Sequence, residues 1–187
     1  PRSTRKESSA ASDVYKRQDL PLIGIHNLRN YVCAIIAAQV EGIEVSDSID
    51  SLKSFLGVKR RMEKISEINE IKIYDDFAHH PTAIRLSSQA LRNKHPNRKI
   101  LGIIELGSNT MSSGYHKENI LDSYESINGA LVLDPKGMYQ GDNIFQSISA
   151  LLEELTKIIK DYDIILIMTN RDSQKFIKPI LESLEEK

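Results

Sequence analysis

A chain of 187 residues with 25 lysines and arginines against 26 aspartates and glutamates has a formal net charge of −1. It lacks the clustered basic excess expected of a nucleic-acid binder. Its 40% hydrophobic content supplies a core, and the longest apolar run, Val32 to Ala38, is too short to span a bilayer.

The length fits one domain, or one domain plus a piece of another. The lone Cys33 excludes a disulfide framework and fits a reducing compartment; inside an apolar run it reads as core packing, not as a nucleophile. The start of the chain, Pro1 to Gln18, is basic and serine-rich with no apolar period. It has no stretch of the secretory type, and residues 1–19 read as a disordered tail, an artefact or a transit peptide, outside the fold.

From His26 to Glu41 nearly every residue is apolar, ending at Gly42, which predicts a helix buried on most sides and closed by a glycine. Ser46 is placed to cap a second helix, with Asp47 and Asp50 in its first turn and a stripe of Ile49, Leu52, Phe55 and Leu56; Gly57 ends it. Two helices alone cannot bury such faces. The expectation is that residues 20–58 close a truncated domain and pack on polypeptide absent from this chain.

After Gly57 the pattern changes. Lys64 to Ile68 and Ile71 to Tyr74 read as a hairpin around Asn69-Glu70, and Pro81 to Asn93 as a helix carrying Ala83, Ile84, Leu86, Ala90 and Leu91 inward. Ile100 to Ile104, Ala130 to Leu133 and Ile164 to Met168 are near-continuous apolar runs, suited to parallel strands covered on both faces. A helix with Phe145, Ile148, Leu152, Leu155 and Ile159 on one stripe precedes the last of them. A final stripe (Ile177, Ile180, Leu181, Leu184) ends the chain, with Pro179 implying a kink or a late start. The alternation predicts an α/β fold with a mostly parallel sheet of about four to six strands and flanking helices.

Ligands bind outside the carboxyl ends of the strands in such sheets. The residues there are Asp75-Asp76, then Glu105 with Ser108-Asn109, then Asp134, then Thr169-Asn170. Each singly is a common turn or cap; jointly they point to a ligand-binding edge. The densest string is Asp75-Asp76-Phe77-Ala78-His79-His80-Pro81, whose carboxylates and imidazoles are costly in a core. A site is the preferred reading over an acidic cap followed by solvated histidines. Lys59-Arg60-Arg61 reads either as solvated surface or as an anion grip suited to phosphate. Asn27 and Asn30 share one face of a first turn, where their amides serve a base edge or cap the helix. The sequence has no Gly-x-x-x-x-Gly-Lys-Ser/Thr loop, no zinc spacing and no nucleophile elbow.

These strings resemble the Mur ligases, ATP-dependent amide-bond-forming enzymes of peptidoglycan, and within them the branch that serves cell-wall recycling. The strings are Gly24-x-His26-Asn27-x-x-Asn30, Gly57-Val58-Lys59-Arg60-Arg61-Met62-Glu63, Tyr74 to Ile84, and Ser108-Asn109-Thr110-Met111, in the family's order over about residues 20 to 187. The resemblance implies a Rossmann-like C-terminal domain at 59–187, the end of a central ATPase domain at 20–58, and N-terminal and central domains missing here. It implies a cytoplasmic enzyme that uses ATP and Mg²⁺ to join a murein tripeptide to UDP-N-acetylmuramate through an acyl phosphate, with no nucleic-acid or membrane partner. Alone, this stretch is expected to be inactive.

By resemblance His26, Asn27 and Asn30 approach the adenine, Arg61 reaches the phosphates, and Asp76 holds the ribose. His79 and His80 lie near the phosphates or the incoming peptide, and Ser108, Asn109 and Thr110 contact that peptide. No residue is assigned to a metal. The pattern departs from the family at Leu106-Gly107, where Pro-Arg is frequent, and the peptide substrate stays open there. The alternatives are the L-alanine-adding branch of the family and a non-catalytic α/β binding module.

Overall fold

The computed structural model describes residues 22–185, so the reading of residues 1–19 falls outside the described residues. The fold is organised by a six-stranded sheet. In chain order its elements are α1 (Ile25–Val40), α2 (Val45–Ser51), β1 (Glu63–Ile68), β2 (Ile71–Asp76), α3 (Pro81–Lys94), β3 (Ile100–Glu105), α4 (Asn109–Ser112), β4 (Gly129–Leu133), β5 (Ile144–Phe145), α5 (Ile148–Ile158), β6 (Ile164–Met168) and α6 (Gln174–Glu185).

The strand order is β1-β2-β6-β3-β4-β5, antiparallel between β1 and β2 and parallel elsewhere. The hairpin turns at Asn69 (φ 50°) and Glu70 (φ 67°), both left-handed, the conformation whose twist suits a two-residue hairpin. The ladder slips by one residue between Lys64 and Ser66, a bulge in the edge strand.

Alternate strand residues feed two cores. On one face Tyr74, Ile104, Val132, Leu166 and Met168 pack with Ile84 and Leu91 of α3 and Met111 of α4. On the other, Ile73, Ile103, Leu133 and Ile167 pack with Leu151 and Leu155 of α5 and Phe176, Ile177 and Ile180 of α6. The parallel strands predicted from their apolar runs are present, buried on both faces.

Some expectations are corrected. Helix α1 is not buried on most sides: its buried residues are Asn27 and Tyr31, while Ile25, Leu28, Val32, Ile36 and Val40 are exposed. Cys33 is exposed rather than packed in a core. The reason lies in partners: within this chain α1 meets α2 and the flank of α3, which cannot enclose it. Ser46 does not cap α2; the helix begins at Val45 behind Glu44, and Ser46 lies in its first turn. Leu56, placed on a buried stripe by its spacing, is 97% exposed. Phe145 belongs to the short edge strand β5 rather than to the helix, where Leu151 is enclosed beside Leu155 and Leu152 packs, partly buried, against the same core. Helix α6 begins at Gln174 and holds Pro179 in its interior, so there is no late start.

Candidate functional site

Strands β2 and β3 lead into α3 and α4 on one face of the sheet, while β6, lying between them, leads into α6 on the other. Chain therefore diverges on both sides of the carboxyl end of β6, leaving a crevice toward β2 and another toward β3. Crevices of this topology are where open α/β sheets take ligands.

The β2/β6 crevice is filled by Arg60. Its Nη2 donates to the Thr169 carbonyl at 2.6 Å and its Nε to Asp75 Oδ2 at 3.3 Å. Asp75 Oδ2 also accepts from Ser173 Oγ at 2.7 Å. The Arg60 backbone is pinned as well: its N–H donates to Glu63 Oε2 and its carbonyl accepts from the Phe77 N–H, both at 2.8 Å. Arg60 (φ 57°) and Met62 (φ 52°) are both left-handed, a conformation costly for residues with a Cβ. Asp76 holds the second of them through Oδ2, which accepts from the Met62 N–H at 2.7 Å. Its Oδ1 accepts from the Ala78 N–H at 2.9 Å and Ser87 Oγ at 3.0 Å. Asp76 is 4% exposed, and burial raises its pKa despite these three donors and the charge of Arg61.

Between the two strained residues stands Arg61, exposed, with its guanidinium 5.9 Å from the Phe77 ring centroid. The three-cation run thus divides: Arg60 is an internal strut and Arg61 is presented. Asp76, expected at the ribose, is enclosed by three intramolecular bonds that leave about one of a carboxylate's four lone-pair sites.

His26 lies close enough to Asp76 and Arg61 for both charges to act on it. Burial lowers its pKa, Asp76 opposes that shift and Arg61 adds to it. Its Nδ1 is buried without a partner, and its Nε2 is 3.1 Å from Asn27 Nδ2. The ring folds back over Gly24, which is left-handed (φ 96°) and would bring a Cβ within 2.8 Å of that of Ala90. A glycine is required there to seat α1 on α3. Asn27 is engaged locally, donating to the Ile23 carbonyl at 2.8 Å and accepting from Asn30 Nδ2 at 3.4 Å; Asn30 is exposed.

The adjacent histidines diverge. His79 Nδ1 lies 2.7 Å from the Phe77 carbonyl, its ring edge-on to Phe77. His80 caps α3 by accepting from the Thr82 N–H at 3.3 Å, and its ring meets that of His116 at 4.5 Å. They form one wall of a cleft of about 400 Å³ also lined by Arg85, Tyr115 and Asn119. His116, which no spacing in the sequence links to His80, is buried, and burial and His80 lower its pKa.

The β6/β3 crevice carries a second network. Thr169 Oγ1 donates to Glu105 Oε2 and Lys175 Nζ to Glu105 Oε1, both at 2.5 Å. Thr169 Oγ1 accepts from the Arg171 N–H at 2.9 Å. The Arg171 side chain crosses the crevice, donating to the Gly107 carbonyl from Nε at 3.1 Å and Nη2 at 2.7 Å. Ser108 caps α4 through Oγ, which accepts from the Met111 N–H at 3.3 Å, with Asn109 and Thr110 exposed in its first turn. Asp134 turns inward, closing its own loop by accepting from the Lys136 and Tyr139 N–H groups at 3.3 and 2.8 Å.

The structure therefore groups His26, Arg61, Asp76 and the Phe77-His79 pair in one neighbourhood. It places Ser108, Asn109 and Thr110 at the exit of β3 and turns His80 toward His116 in a cleft of its own. Among the described residues no group of three or more His, Cys, Asp or Glu side chains is placed to hold a metal ion.

The family described as Mur ligase, glutamate ligase domain, matches residues 60–171, which contain most of both crevices. The chain belongs to the Mur ligase family. Over 178 residues it is 35% identical to the UDP-N-acetylmuramate--L-alanyl-gamma-D-glutamyl-meso-2,6-diaminoheptandioate ligase of Haemophilus influenzae, covering 89% of this chain and 39% of that one. A UDP-N-acetylmuramate--L-alanine ligase from Brachyspira hyodysenteriae is 41% identical over 86 residues, 46% of this chain and 18% of that protein. The crystal structure of a murein peptide ligase from Psychrobacter arcticus superposes with a TM-score of 0.67 at 31% identity, covering 88% of this chain and 38% of that chain. The chain thus spans about 39% of the length of the curated tripeptide ligase it matches. No helix among the described residues is long and apolar enough to cross a membrane.

Proposed function

We propose that this chain is the C-terminal part of an ATP-dependent ligase that joins a murein tripeptide to UDP-N-acetylmuramate. Residues 20–58 end its central domain and residues 59–187 form its C-terminal domain. ATP phosphorylates the lactyl carboxylate of the sugar, and the peptide amine then displaces phosphate from the acyl phosphate to form the amide. The work falls in the cytoplasm.

The observation that carries this reading is the Arg60–Met62 turn, which holds an exposed arginine between two clamped left-handed residues at the carboxyl edge of the sheet. A guanidinium fixed at its backbone and free at its tip is suited to neutralising a phosphoryl group. The buried, unpartnered Nδ1 of His26 and the exposed amide of Asn30 beside it fit the polar edge of a base. Asp76 acts first as the anchor of the Arg61 turn; a ribose hydroxyl would use the lone-pair site its donors leave. His79 and His80 face the phosphate side and the peptide side respectively, and Ser108, Asn109 and Thr110 meet the peptide. Mg²⁺ would enter with the ATP phosphates, and no residue of this chain is assigned to it.

The test is ATP-dependent phosphate release by the complete protein that carries this chain. Release should require both UDP-N-acetylmuramate and the tripeptide, and Arg61→Ala should lower it by about 100-fold or more through lost charge stabilisation. Equal turnover with L-alanine in place of the tripeptide would assign the chain to the L-alanine-adding branch, which the short, more identical Brachyspira match favours. Nucleotide binding without ligation of either acceptor would leave a binding module.

A further inference from the structure

We infer that Arg171 reads a carboxylate of the acceptor peptide from the β6/β3 crevice, an inference that rests on the ligase reading above. The arginine is built into the crevice. Its backbone N–H is held by Thr169 Oγ1, itself fixed by Glu105, and its side chain is held by the Gly107 carbonyl. Both side-chain bonds come from the Nε/Nη2 side of the guanidinium and converge on one oxygen. A guanidinium has five N–H donors. The end formed by Nη1 and the second N–H of Nη2 remains free, the pair that takes a carboxylate in a two-bond fork.

Gly107 is what permits this placement. A Cβ there would lie 2.9 Å from Arg171 Cγ and 3.0 Å from Asn170 Oδ1. Any larger residue at 107 would push the arginine from its seat. Asn170 Oδ1 is buried without a hydrogen-bond partner beside the same glycine, so an acceptor that lacks a donor flanks the cation. The exposed first turn of α4, Asn109 and Thr110, follows directly. A ligand that offers both a carboxylate and N–H donors satisfies this set, and a peptide is such a ligand. The other crevice provides the contrast. There Arg60 uses its guanidinium on Asp75 and the Thr169 carbonyl and sits against Phe77, whereas Arg171 is exposed and meets no carboxylate.

Calorimetric titration of the complete protein tests the inference independently of turnover. The probes are L-alanyl-γ-D-glutamyl-meso-diaminopimelate and the same peptide with all three of its carboxylates, the glutamyl α-carboxylate included, converted to amides. Arg171→Gln should weaken binding of the acid peptide by about 10- to 100-fold, leave the amidated peptide and ATP unaffected, and so abolish the preference for the acid. Arg171→Lys, which keeps the charge without the fork, should fall between. Gly107→Ala should reproduce part of the loss by displacing the arginine while its own backbone stays unstrained. Equal weakening of acid and amidated peptides, or an unchanged preference in Arg171→Gln, overturns the inference. If ligation of the tripeptide persists with no acid preference, the ligase reading stands and this inference alone falls. If neither peptide binds while L-alanine is ligated, the inference falls together with the choice of acceptor.

Discussion

The sheet region from Glu63 to Glu185 and the helical segment from Leu22 to Val58 were built from similar sequence signals but are completed to different degrees. In the sheet, Ile73, Ile103, Ile167 and Phe176 are fully enclosed between strands and helices of the same chain. In the helical segment Val40, Phe55, Leu56 and Val58 face outward, and α1 buries two residues in total. Apolar periodicity states which face a helix would bury. It does not state whether the covering surface belongs to the same stretch of chain. In the proposed ligase, that surface is the remainder of the central domain.

The contrast is breakable by mutation. Ile103→Ala, in the middle of β3, should cost about 2–5 kcal/mol of unfolding free energy by leaving a cavity between two layers. Asp76→Ala comes next, at about 2–4 kcal/mol, because the Met62 and Ala78 N–H groups and the Ser87 hydroxyl lose their shared acceptor. Urea denaturation of this chain measures both. A smaller effect is expected from pH. His26, His95 and His116 all have pKa values lowered by burial from the unfolded 6.5. Their contribution is complete above pH 6.5 and is lost as pH falls through the depressed values. Asp76 runs the other way: its raised pKa favours the fold below 3.8 and that contribution is lost as pH rises through the raised value. Thermal melts should therefore drop in midpoint as pH is lowered from 6.5, and His116→Gln should flatten the drop. Smallest of all, Ile36→Ala on α1 should change the stability of this chain by no more than about 0.5 kcal/mol. In the complete protein it should cost more; the same small value in both would mean that α1 stays uncovered, against the two-domain reading.

Most of the fold was legible because it rests on local rules. The hairpin was marked by its two-residue turn, and the parallel strands by apolar runs too continuous for a one-sided sheet. Strand β5 escaped because two residues carry no period. Within the site, the sequence placed Arg61 and Asp76 together through the family resemblance. It could not separate Arg60 from Arg61, since the left-handed backbone that turns one inward and the other outward leaves no mark in Arg-Arg-Met. The strand-exit residues Glu105, Asp134 and Thr169 were read as a ligand edge, yet they are engaged within the protein, holding neighbouring loops. His116 was illegible because His80 reaches it across a fold, not along a helix. The seat of Arg171 was illegible for the same reason: it lies over Gly107, a contact between two loops far apart in sequence.

The margins of the sheet bear on how this protein behaves in a crowded solution. An open strand edge is a template for pairing with another chain. At one margin β1 is bent by its bulge between Lys64 and Ser66 and carries Lys64 and Glu67 outward as an ion pair. At the other, β5 offers two residues, too few to nucleate a ladder. Fibrillar growth by strand addition is thereby discouraged at both ends.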